Sequence, residues 1–328
     1  MNILVYDVAA QCGGGETVLR AYCAQYAADT ANTYYVLLSA CCIEETPNLH
    51  PLYYKWIKKS WLHRIWFDVF IAPRLVHKYS IDKVISLQNT LFPVSGVKTE
   101  VLVHNAVPFC EHRFSLRESK SLWIAQNVIG NVCLHSVKRA DRVMVQNEWM
   151  RDTCARKTNV PKEKIVVQAP AIPPSTVHFR GAQWNGKTHF FYPASANLFK
   201  NHSVILDACQ ELLDEGITEF DVLFTLTGQE NALSEQLMKR ANDNALPIIF
   251  RGWMSPADVQ EYYGKSILLF PSYVETVGLP LLEAAQVGCP IIVADYMYAH
   301  FENINYNRAT FFSPEKPHSL FRIMMNVI

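Results

Sequence analysis

Short apolar runs rich in β-branched residues alternate with longer amphipathic stretches along the whole chain. This pattern predicts buried strands alternating with helices that cover a parallel sheet on both faces. The predicted strands lie at 2–7, 34–39, 82–87, 100–104, 142–146, 188–193, 221–226, 247–250, 267–270 and 290–294. The predicted helices lie at 16–28, 60–78, 118–138, 202–214, 231–243, 255–264 and 279–287.

A proline-rich break divides this series into two halves. Pro170, Pro173 and Pro174 can continue neither a helix nor a strand, and a polar run follows them up to Lys187. We therefore predict an α/β protein with a first domain at 1–170, a linker at 171–187 and a second domain at 188–328. Open parallel sheets bind ligands beyond the carboxyl ends of their strands. Two such domains facing each other would form a cleft, with one substrate held by each.

Composition excludes several classes of protein. Thirty basic residues balance thirty acidic ones, so no overall field favours nucleic acid as a partner. The nine cysteines are scattered and never spaced as Cys-x-x-Cys, which argues against a disulfide framework or zinc site and for a reducing cytosol. The chain enters a strand pattern at once and has no apolar run of membrane-spanning length. We expect a cytoplasmic protein, either soluble or attached to the inner face of the membrane.

Two features of the first half can carry chemistry. The run Gln11 to Glu16 contains Gly13, Gly14 and Gly15 where a strand turns into a helix, so backbone N–H groups could cradle a phosphate. A tight turn explains the same glycines equally well. His104 ends a buried strand, where a histidine is more often a core or rim residue than a catalytic one.

The second half holds the more specific motif. Lys200 lies between a strand and a helix, where it could neutralise phosphate or simply be exposed. Glu275 follows the strand that ends at Phe270, and Glu283 lies in the first turns of an apolar helix after Gly278-Leu279-Pro280. A carboxylate on such a face is costly without partners, and sugar or ribose hydroxyls would supply them.

This E-x7-E pair around Gly-Leu-Pro resembles the signature of retaining glycosyltransferases of family 4 (glycosyl transferases group 1), which have the GT-B fold. The order of the glycine loop, His104 and Lys200-Asn201 agrees, so the resemblance covers nearly the whole chain. It implies two Rossmann-like, doubly wound parallel-sheet domains facing across a cleft, the first binding the acceptor and the second the nucleotide sugar.

The resemblance also implies roles for single residues. His104 would face the donor sugar and acceptor, Lys200 would bind the diphosphate, and Glu275 would contact sugar hydroxyls. Glu283 would bind the ribose, and the loop Arg251-Gly252-Trp253 would border the base. The nucleotide sugar would be bound by Gly14, Gly15, Thr227, Gly228, Arg251, Gly252, Val277, Gly278, Leu279 and Glu283.

The chain departs from the family pattern in three places. Ser195 stands five residues before Lys200, where the family commonly has an arginine, and Val277 replaces a phenylalanine. The chain also stops soon after Phe311–Glu315, whereas family members usually continue through further helices. Either the second domain is truncated at its end, or the cleft closes differently.

We expect no cofactor and no metal, because no D-x-D triplet is present and Lys200 with the helix ends would have to stabilise the leaving diphosphate. The resemblance implies retention of configuration, with a donor phosphate oxygen taking the acceptor's proton.

Residues 52–80 contain six basic side chains, one acid and a series of aromatic residues. This composition favours peripheral contact with an anionic membrane, while a helix with its aromatics in the core is the plainer alternative. Arg113, Arg117 and Lys120 could extend the surface toward a lipid-diphosphate acceptor.

The sequence therefore predicts a hexosyltransferase that uses a nucleoside-diphosphate sugar and a glycan or lipid-linked acceptor. Its predicted setting is bacterial lipopolysaccharide or capsule synthesis. Three alternatives remain open: a non-catalytic nucleotide-sugar-binding homologue, a sugar-nucleotide epimerase of the same fold, and a phosphorylase, for whose pyridoxal lysine we find no motif.

Overall fold

The computed structural model describes residues 1–10, 14–170, 172–300, 306–316 and 318–328, without the side chains of Gly14 and Thr17. The chain divides into two compact units. The first holds Met1–Phe109 and Arg113–Ala169, and the second holds Cys110–His112 and Pro170–Ile328. Gln11, Cys12 and Gly13 of the predicted glycine loop lie outside the described residues.

The first unit is built on a seven-stranded sheet in which every neighbouring pair is parallel, in the order β3-β2-β1-β4-β5-β6-β7. Its strands are β1 (Asn2–Tyr6), β2 (Thr33–Leu38), β3 (Leu49–Tyr53), β4 (Lys83–Ser86), β5 (Lys98–Val103), β6 (Arg142–Val145) and β7 (Ile165–Val167). Its helices are α1 (Gly14–Ala28), α2 (Trp61–Trp66), α3 (Ala72–Lys78), α4 (Lys120–Ile124), α5 (Gly130–Arg139) and α6 (Glu148–Thr158). One π-helical turn, Phe67–Ile71, joins α2 to α3, and another, Ala125–Ile129, joins α4 to α5.

The second unit repeats this topology, with the parallel order β11-β10-β9-β12-β13-β14 and a short antiparallel strand, β8, on β9. Its strands are β8 (Gln183–Trp184), β9 (Lys187–Tyr192), β10 (Phe220–Phe224), β11 (Ile248–Phe250), β12 (Ile267–Phe270), β13 (Ile291–Ala294) and β14 (Ala309–Phe312). Its helices are α7 (His202–Asp214), α8 (Ala232–Asp243), α9 (Pro256–Tyr263), α10 (Leu279–Val287) and α11 (Ser319–Met325).

The core of the first unit lies on both faces of its sheet, as the doubly apolar strands predict. Ile3 and Val5 of β1 pack on one face in a cluster with Leu19 of α1. Leu4 and Tyr6 point to the opposite face and pack with residues of α3, of the π-helical turn before it and of the 3₁₀ turn Lys55–Lys59. Because successive side chains of β1 point to opposite faces of the sheet, this one strand packs against helices on both faces.

Every strand and helix predicted from the pattern is present, with ends shifted by a few residues. The pattern missed β3, β7, β8, β14, α6 and α11. β3 contains Pro51, which argues against a strand but is tolerated because β3 lies at the sheet edge. Residues 183–187, predicted as linker, form the β8–β9 hairpin instead. Among the described residues, no helix is long and apolar enough to cross a membrane.

Candidate active site

The strand order of the second unit reverses between β9 and β12. The chain leaves β9 toward β10 on one side and leaves β12 toward β13 on the other, and β9 and β12 pair directly. Parallel doubly wound sheets bind ligands at such a switch point, beyond the carboxyl ends of the strands. The loops that follow these two strands carry Lys200 and Glu275.

Lys200 and Glu275 form an ion pair. Lys200 ends a 3₁₀ turn, Leu198–Lys200, after which Asn201 at φ 52° starts α7. The Lys200 Nζ donates to Glu275 Oε1 at 2.6 Å, and only 16% and 12% of the two side chains remain exposed. A buried pair of this kind holds both groups in fixed positions, although removing one partner would leave the other uncompensated.

Buried tyrosine hydroxyls hold the two loops together. Tyr192 donates to the carbonyl oxygen of Lys200 at 2.7 Å and lies 2.9 Å from Ser272 Oγ. Tyr298 donates to the carbonyl oxygen of Ser272 at 2.7 Å. Burial raises the pKa of Tyr192 well above its ordinary value, so this hydroxyl keeps its proton. The spacing of the two loops is therefore set by the core.

The first turn of α10 lies beside this pair. Gly278 caps the helix in the left-handed conformation at φ 69°, and a Cβ there would lie 3.0 Å from Leu281 Cδ1 and 3.9 Å from Glu275 Cβ. The position therefore requires glycine. Leu279 is 42% exposed, and Val277 is half-buried. The N–H groups at the start of α10 carry the positive end of the helix dipole, which favours an anion.

Glu283 lies one turn further along α10. Its Oε2 accepts a hydrogen bond from Tyr263 Oη at 3.2 Å, which links α10 to α9. Burial raises the pKa of Glu283, and the Tyr263 hydroxyl acts against that rise. Beyond this bond the carboxylate has further acceptor capacity, as recognition of ribose hydroxyls requires.

Two neighbouring loops carry the remaining predicted nucleotide-binding residues. Gly252 donates to the carbonyl oxygen of Leu226 at 2.9 Å, and a Cβ on Gly252 would lie 3.0 Å from Thr227 Cγ2. Arg251 is exposed, and Trp253 is 83% exposed. These loops follow β11 and β10 respectively, so they meet at the same sheet edge as Lys200.

The N–H groups of Thr227 and Gly228 are already bonded. They donate to the two carboxylate oxygens of Glu230 at 2.5 and 3.1 Å. Burial acts against ionisation of Glu230, but the hydrogen bonds from Thr227 outweigh it and lower the pKa of Glu230 to about 2. The Glu230 carboxylate thus binds the backbone N–H groups of this loop in the way that a bound anion would.

His104 directly follows β5 in the first unit. Its backbone N–H donates to Asn89 Oδ1 at 2.7 Å, as does that of Asn105 at 2.8 Å, so Asn89 fixes the course of the chain here. Burial lowers the pKa of His104, and a backbone hydrogen bond with Leu87 acts against this shift. The ring is therefore neutral at neutral pH, and it can donate through one nitrogen while accepting through the other.

The first turn of α1 contains Gly14 and Gly15. No atom lies within 4 Å of the position that a Cβ on Gly15 would occupy, so a ligand can approach the backbone there. The loop before α1 begins at Asp7, which is 3% exposed and accepts the Ala10 N–H at 3.2 Å. Gln88, which follows β4, accepts the Ala9 N–H at 3.0 Å.

Comparison with known families decides the class of the second unit. Residues 188–328 match the family model described as Glycosyl transferases group 1. The second unit is a glycosyl transferases group 1 domain. Its residues Glu275, Gly278 and Glu283 are those on which the resemblance rested.

Similar proteins match more of the chain than this domain. The chain is 22% identical over 274 residues to the O-antigen chain mannosyltransferase RfbU of Salmonella typhimurium, an alignment that spans 80% of this chain and 70% of RfbU. WaaG, a glycosyltransferase involved in lipopolysaccharide biosynthesis, matches with a TM-score of 0.66 at 13% identity, over 99% of this chain and 90% of WaaG. Anabaena Alr3699/HepE, solved in complex with UDP and glucose, matches with a TM-score of 0.60 at 13% identity, over 99% of this chain and 89% of HepE. The predicted GT-B fold is confirmed.

The sequence pattern missed several residues that shape the second unit and the first unit. Tyr192, Tyr263 and Tyr298 read as ordinary core aromatics, although their hydroxyls bind Lys200, Glu283 and the Ser272 loop. Asp7 was missed as well. A carboxylate that ends a buried strand and precedes a glycine run was the available signal.

Proposed function

We propose that the chain transfers a hexose-type sugar, with retention of configuration, from a nucleoside-diphosphate sugar to a glycan or lipid-linked acceptor in bacterial lipopolysaccharide synthesis. The observation that carries this proposal is the Lys200–Glu275 pair beside the N-terminus of α10 in a group 1 domain. The names of RfbU and WaaG support the lipopolysaccharide setting, and the UDP and glucose bound to HepE support the donor class.

Each group in this arrangement has a defined task. The leaving diphosphate gains negative charge, which Lys200 and the N–H groups of Gly278 and Leu279 stabilise electrostatically. Glu283 binds the ribose, and Glu275 orients the sugar through its hydroxyls. A donor phosphate oxygen takes the acceptor's proton on the face that the leaving group vacates, which preserves the anomeric configuration. No step requires a metal, so activity should survive excess EDTA.

Substitutions in the second unit test the assignment. Lys200→Ala should lower kcat/KM by at least about a hundredfold, because one preorganised charge at the leaving group is removed. Glu283→Gln keeps an acceptor for Tyr263 and should weaken nucleotide binding. Lys187→Ala, at the opposite end of β9, is the matched control and should transfer at the wild-type rate. An unchanged kcat/KM for Lys200→Ala would refute the site, and nucleotide binding without any transfer would favour the non-catalytic alternative.

The region 52–80 supports peripheral contact with an anionic membrane. Phe67 is fully buried and Trp56 packs against it, whereas Trp61 and Trp66 are 64% and 55% exposed. Other large apolar side chains on the same helical stretch are also exposed: Leu62, Ile65, Val69 and Phe70. The alternative in which all the aromatics face the core therefore does not hold for this helix. Exposed Lys55, Lys58 and Lys59 precede it and would attract anionic lipid.

Co-sedimentation with vesicles tests this contact. The chain should pellet with phosphatidylglycerol vesicles at low salt and less with phosphatidylcholine vesicles. A double variant, Trp61→Ser with Trp66→Ser, should remain in the supernatant. Ile249→Ser, which alters an exposed apolar side chain on the second unit, should bind as the wild type does. Equal pelleting of both variants would refute the assigned surface.

A further inference from the structure

The segment Cys110–His112 contacts the loop that carries Glu275. Cys110 Sγ donates to the carbonyl oxygen of Tyr273 at 3.4 Å. The His112 ring stacks on the Tyr273 ring, with centroids 4.1 Å apart and an angle of 17° between the planes. The segment and the loop both belong to the second unit. One side of Tyr273 is thus held through its ring and its carbonyl group.

Tyr273 connects to both members of the ion pair. It lies two residues before Glu275 in the same loop, and its N–H donates to the carbonyl oxygen of Phe199 at 2.8 Å. Phe199 directly precedes Lys200. This backbone bond anchors the Tyr273 N–H to the Lys200 loop, so a displacement of the Tyr273 ring and carbonyl group would be passed through the chain to Glu275.

The stack of His112 on Tyr273 is stronger than its contact with Glu315. Its Nδ1 lies 3.7 Å from Glu315 Oε1, but the Glu315 side chain is 68% exposed, so solvent screens this pair. The His112 side chain is only 16% exposed. Stacked aromatic pairs contribute beyond the area they bury, and a buried ring is held in one orientation.

We propose that His112 is a positioning residue for glycosyl transfer, whose ring, stacked on Tyr273, holds the loop that presents Glu275 to the donor sugar. The proposal rests on the proposed function, because it needs a donor sugar for Glu275 to contact. His112 acts through Tyr273, so its loss should impair transfer while leaving the diphosphate contacts at Lys200 and the helix N-terminus intact.

Steady-state kinetics and nucleotide binding test the proposal together. His112→Ala should lower kcat/KM for the sugar nucleotide by about five- to tenfold, the size expected for one lost aromatic pair. Its dissociation constant for UDP or GDP, whichever the wild type binds, should remain unchanged. His112→Phe restores a planar ring and should recover most of the transfer. Glu315→Gln removes the charge near His112, keeps the ring stack, and should behave as the wild type does.

The outcomes separate the two hypotheses. Equal transfer by the wild type and His112→Ala would overturn the positioning role alone, as would a failure of His112→Phe to recover activity. A wild-type chain without transfer would overturn the proposed function and this inference with it. If His112→Ala does not fold, His112→Leu, which keeps apolar volume without the ring, should show the same loss. Cys110→Ala against Cys110→Ser provides a second pair, since serine still donates to the Tyr273 carbonyl.

Discussion

Replacing Asp7 by asparagine should stabilise the first unit at neutral pH and impair its function. Asp7 is 3% exposed at the carboxyl end of β1. Burial raises its pKa from the ordinary 3.8 to about 6, while its bond from the Ala10 N–H and the charges of Arg64 and Lys58 act against that rise. Asparagine keeps an oxygen for the Ala10 N–H and carries no charge.

The magnitude follows from the pKa. Because the native carboxyl holds its proton to higher pH than the unfolded one, the unfolded state binds fewer protons between about pH 4 and pH 6, and stability falls as pH rises through this range. At about 1.4 kcal/mol per pH unit, the cost of ionising native Asp7 reaches about 3 kcal/mol above pH 7. Asp7→Asn removes this cost, so its advantage should be about 3 kcal/mol at pH 7.5 and about 1 kcal/mol at pH 4.5.

Urea unfolding of the full chain at the two pH values measures this difference, and hydrogen exchange of the β1 amides assigns it to the first unit. Asp82→Asn is the control, because Asp82 accepts the Asn2 N–H at an exposed position and should show no such gain. If Asp7 contacts the acceptor, the stabilised variant should also transfer more slowly. A gain that is absent at pH 7.5, or equal at both pH values, would refute the reasoning.

Three further changes have defined outcomes. Gly15→Ala should leave thermal stability unchanged or slightly higher, because the added methyl group meets no atom within 4 Å. The kcat/KM for the donor should fall if a ligand approaches this backbone. Glu230→Ala should lower the unfolding free energy by no more than about 1 kcal/mol in urea titrations, because the Glu230 side chain is exposed. Burial and then the charge of Lys200 lower the pKa of His202 to about 3, so native stability should fall as pH drops below about 6.5. His202→Leu should reduce this loss of stability at acidic pH, as measured by melting curves over a series of pH values.

Much of the fold follows from local pattern, because the strands that occupy the middle of each sheet are apolar on both faces. The missed strands lie at edges, where the signal is weaker: β3 contains Pro51, and β7 has only three residues. The pattern predicted one continuous helix over 60–78, and helical structure does span this range. It did not predict the π-helical turn Phe67–Ile71 within it. This turn ends two residues before Pro73, which has no N–H to donate, and periodicity does not encode that adjustment.

The candidate site was predictable where it is local in sequence. Glu275, Gly278 and Glu283 lie within nine residues and carry a recognisable motif. The Lys200–Glu275 pair joins positions 75 residues apart and depends on β9 and β12 being neighbours. Contacts such as Tyr192 with Ser272, 80 residues apart, are equally invisible to a pattern of polar and apolar positions.

The Lys200–Glu275 pair also has a consequence for selectivity among the anions of a cell. Because the lysine charge is already neutralised at 2.6 Å, a small free anion must compete with a carboxylate that is tethered in place. A phosphate that binds Lys200 alone leaves the Glu275 carboxylate without its partner. A ligand that offers phosphate to Lys200 and hydroxyl groups to Glu275 provides partners for both. The site therefore favours ligands that carry both a phosphate and hydroxyl groups. Inorganic phosphate and pyrophosphate should bind more weakly than their smaller contact area alone would explain.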